Sequence, residues 1–219
     1  MNRREALVAL AAAPALAGVD AGNAPPSGRA PKPLPFNPSK LKGLSEKLLV
    51  SHHDNNYAGA LKNLLKAEEE LGRVNERNTP PLVTYGLRER ELTFRNSVTL
   101  HEAYFGNLGG DGKVPAAYAA FEEPLRACAV SEGGGSGWTL LSLELDTGEL
   151  RVSWSGNHTQ TLATAVPLLV IDMYEHSYAL DYGAAAAKYV DAFFANAKWD
   201  EVQRRHELGL KAAAAWRPA

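Results

Sequence analysis

The sequence predicts an α+β fold: an N-terminal antiparallel helical hairpin followed by a C-terminal domain with a three-stranded antiparallel β-sheet flanked by helices. Three observations predict it. Leucines and alanines recur at helical spacing in the first half. Asp146-Thr147-Gly148, between two β-favouring runs, has the form of a hairpin turn. Val166–Ile171 is a short, continuous apolar run of the kind found in a buried strand.

The elements follow in order. Met1-Asn2-Arg3-Arg4-Glu5 precedes an Ala/Leu/Val run from Ala6 to about Gly18, with small residues beyond it. A paired arginine before a short apolar stretch reads as an export signal of twin-arginine type over residues 1–22, which predicts a periplasmic or extracellular location. Residues 23–35 are rich in Pro and Gly and predict an extended arm or linker. Residues 36–112 are expected to hold the hairpin domain. Leu48, Leu49, Ala58, Leu61, Leu64 and Leu65 mark a helix from Leu44 to about Arg73. Asn78-Thr79-Pro80-Pro81 breaks the chain, and a second helix is expected from about Arg88 to Phe105, stopped by Gly106-Asn107-Leu108-Gly109-Gly110.

Residues 113–219 are expected to form the C-terminal domain. Ala116–Val130 reads as a helix, and Gly133-Gly134-Gly135-Ser136-Gly137 introduces a strand over Trp138–Leu145. Leu150–Trp154 returns as its partner and Val166–Ile171 is the third strand, with closing helices over Tyr182–Phe194 and Asp200–Leu210.

Composition narrows the function. Net charge is −2 over 219 residues, with Lys and Arg scattered, so no basic stripe for nucleic acid is present. No apolar run is long enough to cross a membrane as a mature helix. The single cysteine, Cys128, excludes an intrachain disulfide and any Cys-rich metal site, and reads as a small apolar residue in a helix.

The histidines are His52, His53, His101, His158, His176 and His206. Any one alone is more often structural than a ligand. His206, between Arg205 and Glu207, reads as a solvated residue on a helix face. Asp172 is different: it closes the run Pro167-Leu168-Leu169-Val170-Ile171, and a buried ionised carboxylate is costly unless paired or bound to a metal. His176 follows four residues later, so Asp172 and His176 can share one centre as they leave a strand end. Two more imidazoles from the facing hairpin helices would complete a set of three histidines and one carboxylate, which suits iron, manganese or zinc and not calcium or magnesium.

The segment Asp172-Met173-Tyr174-Glu175-His176-Ser177-Tyr178 resembles the Asp-x-Trp-Glu-His-Ala-Tyr signature of the iron/manganese superoxide dismutases. Leu100-His101-Glu102-Ala103-Tyr104-Phe105, Asn107-Leu108-Gly109-Gly110, Gly135-Ser136-Gly137-Trp138, Tyr189 and Trp199 are similar to the family in the same order, from about Leu34 to Arg205. The resemblance implies an enzyme that disproportionates superoxide to dioxygen and hydrogen peroxide through one Fe or Mn ion per subunit, cycling between +3 and +2. It implies His52, His101, Asp172 and His176 as metal ligands. His53 stands beside His52, but adjacent helix residues point about 100° apart. Matching Asn63-Leu64 to the family's Asn-Leu puts His52 at the ligand position and leaves His53 as a packed or hydrogen-bonded neighbour.

Three further residues are implied in the chemistry. His158 falls where the family has a glutamine or histidine that hydrogen-bonds the solvent ligand of the metal. Trp138, with Phe105, resembles the aromatics that wall the metal pocket, and Tyr174 replaces a tryptophan. Glu175 resembles the glutamate that reaches a second copy's equivalent of His176, which implies a homodimer. The departures cluster at the substrate channel. Its tyrosine aligns with Ala60, a nearby histidine with Asn56, the tyrosine offered by the second copy with Ala179, and an arginine with Ala186. Tyr57 and Lys188 are the candidates to substitute. An altered gate keeps open an alternative, a metal-binding relative with weak or no dismutase activity.

Overall fold

The computed structural model describes residues 29–75, 77–131 and 136–217. The expected export signal, residues 1–22, and residues 23–28 of the Pro/Gly-rich segment lie outside the described residues. So do Gly133, Gly134 and Gly135 before the first strand. Among the described residues, no helix is long and apolar enough to cross a membrane.

Residues 29–35 form neither helix nor strand and reach both arms of the helical hairpin, with Arg29 paired to Glu68 of the first arm and Lys32 to Glu102 of the second. Helix α1 (Glu46–Ser51) starts at Ser45, whose Oγ accepts from the Leu48 N–H at 3.0 Å, satisfying a donor the helix leaves unpaired. The backbone then widens into a π-helical turn over His52–Tyr57 before continuing as α2 (Ala58–Gly72). Helix α3 (Pro81–Gly106) packs against α2 as the other arm of the hairpin. It begins seven residues earlier than Arg88. The Pro80-Pro81 break is also a start, because proline in the first turn lacks only an N–H that would have gone unpaired.

Helix α4 (Ala119–Ser131) leads to the sheet, whose order is β2 (Leu150–Ser155), β1 (Trp138–Glu144), β3 (Ala165–Asp172), all antiparallel. Gly148, at φ 76°, turns the β1–β2 hairpin. Register sets Trp138 directly opposite Asp172 across β1 and β3, so an indole and a carboxylate stand at the same end of the sheet. The expected helix over Tyr182–Phe194 is two pieces, α5 (Ala179–Tyr182) and α6 (Ala186–Ala195), divided at Gly183 with φ 53°. The last helix, α7 (Trp199–Trp216), runs six residues past Leu210 and packs on β3 and β1.

One apolar cluster runs through both halves, from Leu48, Leu49, Leu61 and Leu64 through Leu100 and Tyr104 to Leu141, Leu169, Phe193 and Val202. Asn107, fully buried at the C-terminal end of α3, ties the halves together. Its Oδ1 accepts from the Val170 N–H at 3.0 Å, and its Nδ2 donates to the Leu168 carbonyl at 3.0 Å. Arg205 of α7 donates to the same Oδ1 and to the Ala103 and Leu168 carbonyls. β3, which ends at Asp172, is thereby held in register with α3, which carries His101.

Candidate metal centre

Four separate elements deliver four side chains to one point. The π-turn contributes His52, α3 contributes His101, the end of β3 contributes Asp172, and the short 3₁₀ turn Glu175–Ser177 contributes His176. One ligand atom from each lies within 4.8 Å of the other three. The three Nε2 atoms converge on Asp172 Oδ2, at 3.1 Å from His52, 3.3 Å from His176 and 3.6 Å from His101. His52, His101 and Asp172 are buried, while the His176 side chain is 28% exposed.

The electrostatics suit a cation. His101 Nδ1 donates to the Ser97 carbonyl at 2.7 Å, one turn back along α3. In the neutral ring the lone pair is therefore on Nε2, which is buried and has no hydrogen-bond partner among the described residues. Burial pushes the His101 pKa down to about 3, with His52 adding to the effect and Asp172 opposing it. His52 is lowered for the same first reason. Burial alone would raise Asp172, but hydrogen bonds from His176 and His52 hold it well below the usual carboxylate range. A buried lone pair facing a buried carboxylate is costly unless something positive lies between them. The chemistry and convergence of these donors fit a single iron or manganese ion.

The carboxylate is held from behind. Asp172 Oδ1 accepts from the Tyr174 N–H at 2.9 Å, and its main-chain carbonyl accepts from the hydroxyls of Tyr189 at 2.8 Å and Ser177 at 2.7 Å. Oδ2 is left facing the three imidazoles.

The structure separates the two adjacent histidines. His52 is 1% exposed and inside the cluster. His53 is turned away, with Nδ1 2.7 Å from Asp54 Oδ1 and Nε2 2.8 Å from the Lys32 carbonyl. His158 lies beside the cluster, its ring centroid 6.5 Å from that of His101. Trp138 Nε1 donates to His158 Nδ1 at 3.0 Å, and Tyr174 stacks between His158 and His176 at 5.0 and 5.4 Å. Phe105 is 5.1 Å from His52 and Trp138 is 5.1 Å from His101, centroid to centroid, so both rings pack against the cluster. Glu175 is exposed next to His176.

At the positions that depart from the family, Ala60 and Ala186 are buried in the core, Asn56 is half-buried and Ala179 is exposed. Of the two candidate substitutes, Lys188 is on the surface. Tyr57 is buried, with its hydroxyl engaged by Glu102 and the Lys32 N–H. His206 is not the solvated residue expected: its Nδ1 is 3.0 Å from the Tyr118 hydroxyl and it is half-buried, because α7 lays that face on the segment leading into α4. Ser97 was invisible as a site residue. The signal available was its place one turn before a candidate ligand on a helix.

An α+β chain that gathers three imidazoles and one carboxylate around a buried point is of the class that holds one metal ion. The family described as "Iron/manganese superoxide dismutases, C-terminal domain" matches residues 116–205. A superoxide dismutase (Fe) of Cupriavidus metallidurans is 42% identical over 191 residues, covering 82% of this chain and 97% of that protein. A superoxide dismutase (Fe) of Aquifex aeolicus is 32% identical over 196 residues, 81% of this chain and 91% of that one. A superoxide dismutase (Mn) of Haloferax volcanii is 29% identical over 192 residues, 82% and 96%. The chain belongs to the iron/manganese superoxide dismutase family, whose members are oxidoreductases.

Proposed function

We propose that this protein disproportionates superoxide to dioxygen and hydrogen peroxide, with His52, His101, Asp172 and His176 holding one iron or manganese ion. The observation that carries the reading is the convergence of three Nε2 atoms on Asp172 Oδ2. When bound, the ion supplies one-electron chemistry by alternating between +3 and +2, oxidising one superoxide and reducing a second.

The chain's own residues do the rest. Three neutral imidazoles and one carboxylate leave a trivalent centre net positive, which favours an anionic substrate. Asp172 stays ionised, and His101 keeps its Nε2 lone pair because its Nδ1–H donates to the Ser97 carbonyl. Trp138 donates only, so His158 must accept at Nδ1 and carries its proton on Nε2. That N–H is the group we assign to orienting the substrate side of the centre and holding a proton for the peroxide product. Trp138, Phe105 and Tyr174 keep bulk water from the buried ligands.

We further infer a homodimer in which Glu175 reaches His176 of a second copy, and export directed by the Arg3-Arg4 segment. The first rests on the exposed Glu175 beside a part-exposed His176, the second on the pattern of residues 1–22.

One observation favours a second reading, a metal-binding relative with weak or no dismutase activity: Asn56, Ala60, Ala179 and Ala186 leave the family's channel groups unreplaced. Native metal analysis with a superoxide-consumption assay separates the two. Iron or manganese near one per subunit with rapid consumption supports the dismutase, and a loaded but inactive protein supports the relative. Asp172→Ala and His176→Ala should each lose most of the metal. Full metal content in either would remove the ligand assignment.

A further inference from the structure

The π-turn that carries His52 is clasped from outside the metal cluster. Tyr57 closes that turn, and although it is 1% exposed its hydroxyl is fully used. It donates to Glu102 Oε1 at 3.0 Å and accepts from the Lys32 N–H at 3.0 Å. Glu102 is the residue after His101, and its other oxygen pairs with Lys32 Nζ. The Lys32 carbonyl takes the third contact, 2.8 Å from His53 Nε2, the residue after His52. The residues next to two of the four clustered side chains are thus joined in one closed ring of hydrogen bonds through Tyr57 and the N-terminal arm.

A π-turn holds one more residue than the α-helical turn it replaces, and its geometry is less favourable, so something must hold it open. Relaxation to a regular helix would rotate everything before it by about 100° relative to α2. His52 would swing out of the cluster. α3 is a continuous α-helix with no such freedom, which makes it the fixed side of the clasp.

We propose that Tyr57 is a positioning residue for the metal centre: its hydroxyl bolts the π-turn bearing His52 to Glu102 beside His101, with Lys32 of the N-terminal arm closing the ring. This rests on the ligand assignment above, but no sequence position in that assignment includes the clasp.

The test uses the full chain stripped of metal and titrated with cobalt(II) against a competing chelator, recording the visible absorption of the bound ion. Tyr57→Phe removes one oxygen and keeps the ring. It should weaken cobalt binding by about tenfold or more, the scale seen when a partner behind a ligand is lost, and should change the shape of the cobalt spectrum. A Tyr57→Phe protein with wild-type affinity and spectrum, differing only in thermal stability, overturns the proposal. Should Tyr57→Phe fail to fold, Glu102→Ala cuts the clasp from the solvent side: weakened binding with an altered spectrum supports the clasp, and wild-type behaviour overturns it. If the unmodified protein takes up no cobalt, the ligand assignment itself falls and the clasp with it, an outcome distinct from a variant that matches a metal-binding wild type.

Discussion

Trp138 Nε1 lies 3.0 Å from His158 Nδ1, and this one hydrogen bond decides which nitrogen of His158 bears the proton. An indole can only donate. Burial lowers the His158 pKa, and the donor at Nδ1 blocks the atom that would take up a second proton. Trp138→Phe removes the donor and keeps an aromatic ring. Turnover should fall by about tenfold while metal content stays near that of the wild type. The acid limb of the pH–rate profile should also move to higher pH, because His158 becomes easier to protonate. Stopped-flow superoxide decay between pH 6 and 9, with metal analysis of the same samples, checks both.

The metal-free protein should be acid-sensitive in a defined window. His52 and His101 have pKa values below the ordinary 6.5 when folded, His101 at about 3. Between those values the unfolded chain binds protons that the folded chain does not, so stability rises with pH. The contribution is complete above about 6.5 and is lost as pH falls towards 3. Asp172, held low when folded, adds a loss of the same sign further into acid. Calorimetric unfolding temperatures of the metal-free protein at pH 8, 6 and 5 should decrease in that order. A flat profile would contradict the neutral, buried imidazoles.

Much of the architecture was legible because it depends on patterns that chemistry repeats. Period-3.6 leucines and alanines marked the first hairpin helix, the proline break and the glycine-rich stop bracketed the second, and the Val166–Ile171 run marked a buried strand. The same run made Asp172 conspicuous, a carboxylate where only apolar residues are comfortable. What stayed hidden depends on neighbours distant in sequence or on small changes of backbone. Nothing in Ser51-His52-His53-Asp54 announces a π-turn; the resemblance pointed to His52, and the structure buries His52 in the cluster while His53 contacts Asp54 and the Lys32 carbonyl. The His206 partner, Tyr118, is 88 residues away. Asn107 looked like part of a loop that stops a helix, and its work is done on β3, more than sixty residues on.

Asn107 is where we expect the largest loss of stability from a residue outside the cluster. Truncating it leaves the buried Val170 N–H and Leu168 carbonyl unpaired and removes an acceptor from Arg205. Each unmet buried group costs about 1–3 kcal/mol, so Asn107→Ala should cost roughly 2–4 kcal/mol. For a chain of this size that lowers the unfolding temperature by about 5–12 °C. Asn107→Asp keeps the acceptor but buries a carboxylate whose second oxygen faces the Leu168 carbonyl, so it too should be less stable than the wild type. A thermal shift series on the three proteins orders them.

Glu175 carries the prediction that joins assembly to the metal. Within one copy it is exposed, while the neighbouring His176 is 28% exposed and its Nε2 is turned to Asp172. Leu180, four residues beyond His176, is 52% exposed, apolar surface suited to a contact between copies. A carboxylate from a second copy at the outer edge of His176 would fix the orientation of that ring and strengthen it as a ligand. If the proposed homodimer forms in this way, Glu175→Ala should do two things at once: shift the protein from dimer towards monomer in sedimentation velocity, and lower metal retention against a chelator by about tenfold. The coupling is the discriminating feature. A purely adhesive glutamate would weaken the dimer and leave retention per dimer unchanged when protein concentration is raised to restore it. A variant that remains dimeric with full metal retention would mean that Glu175 has no part in either.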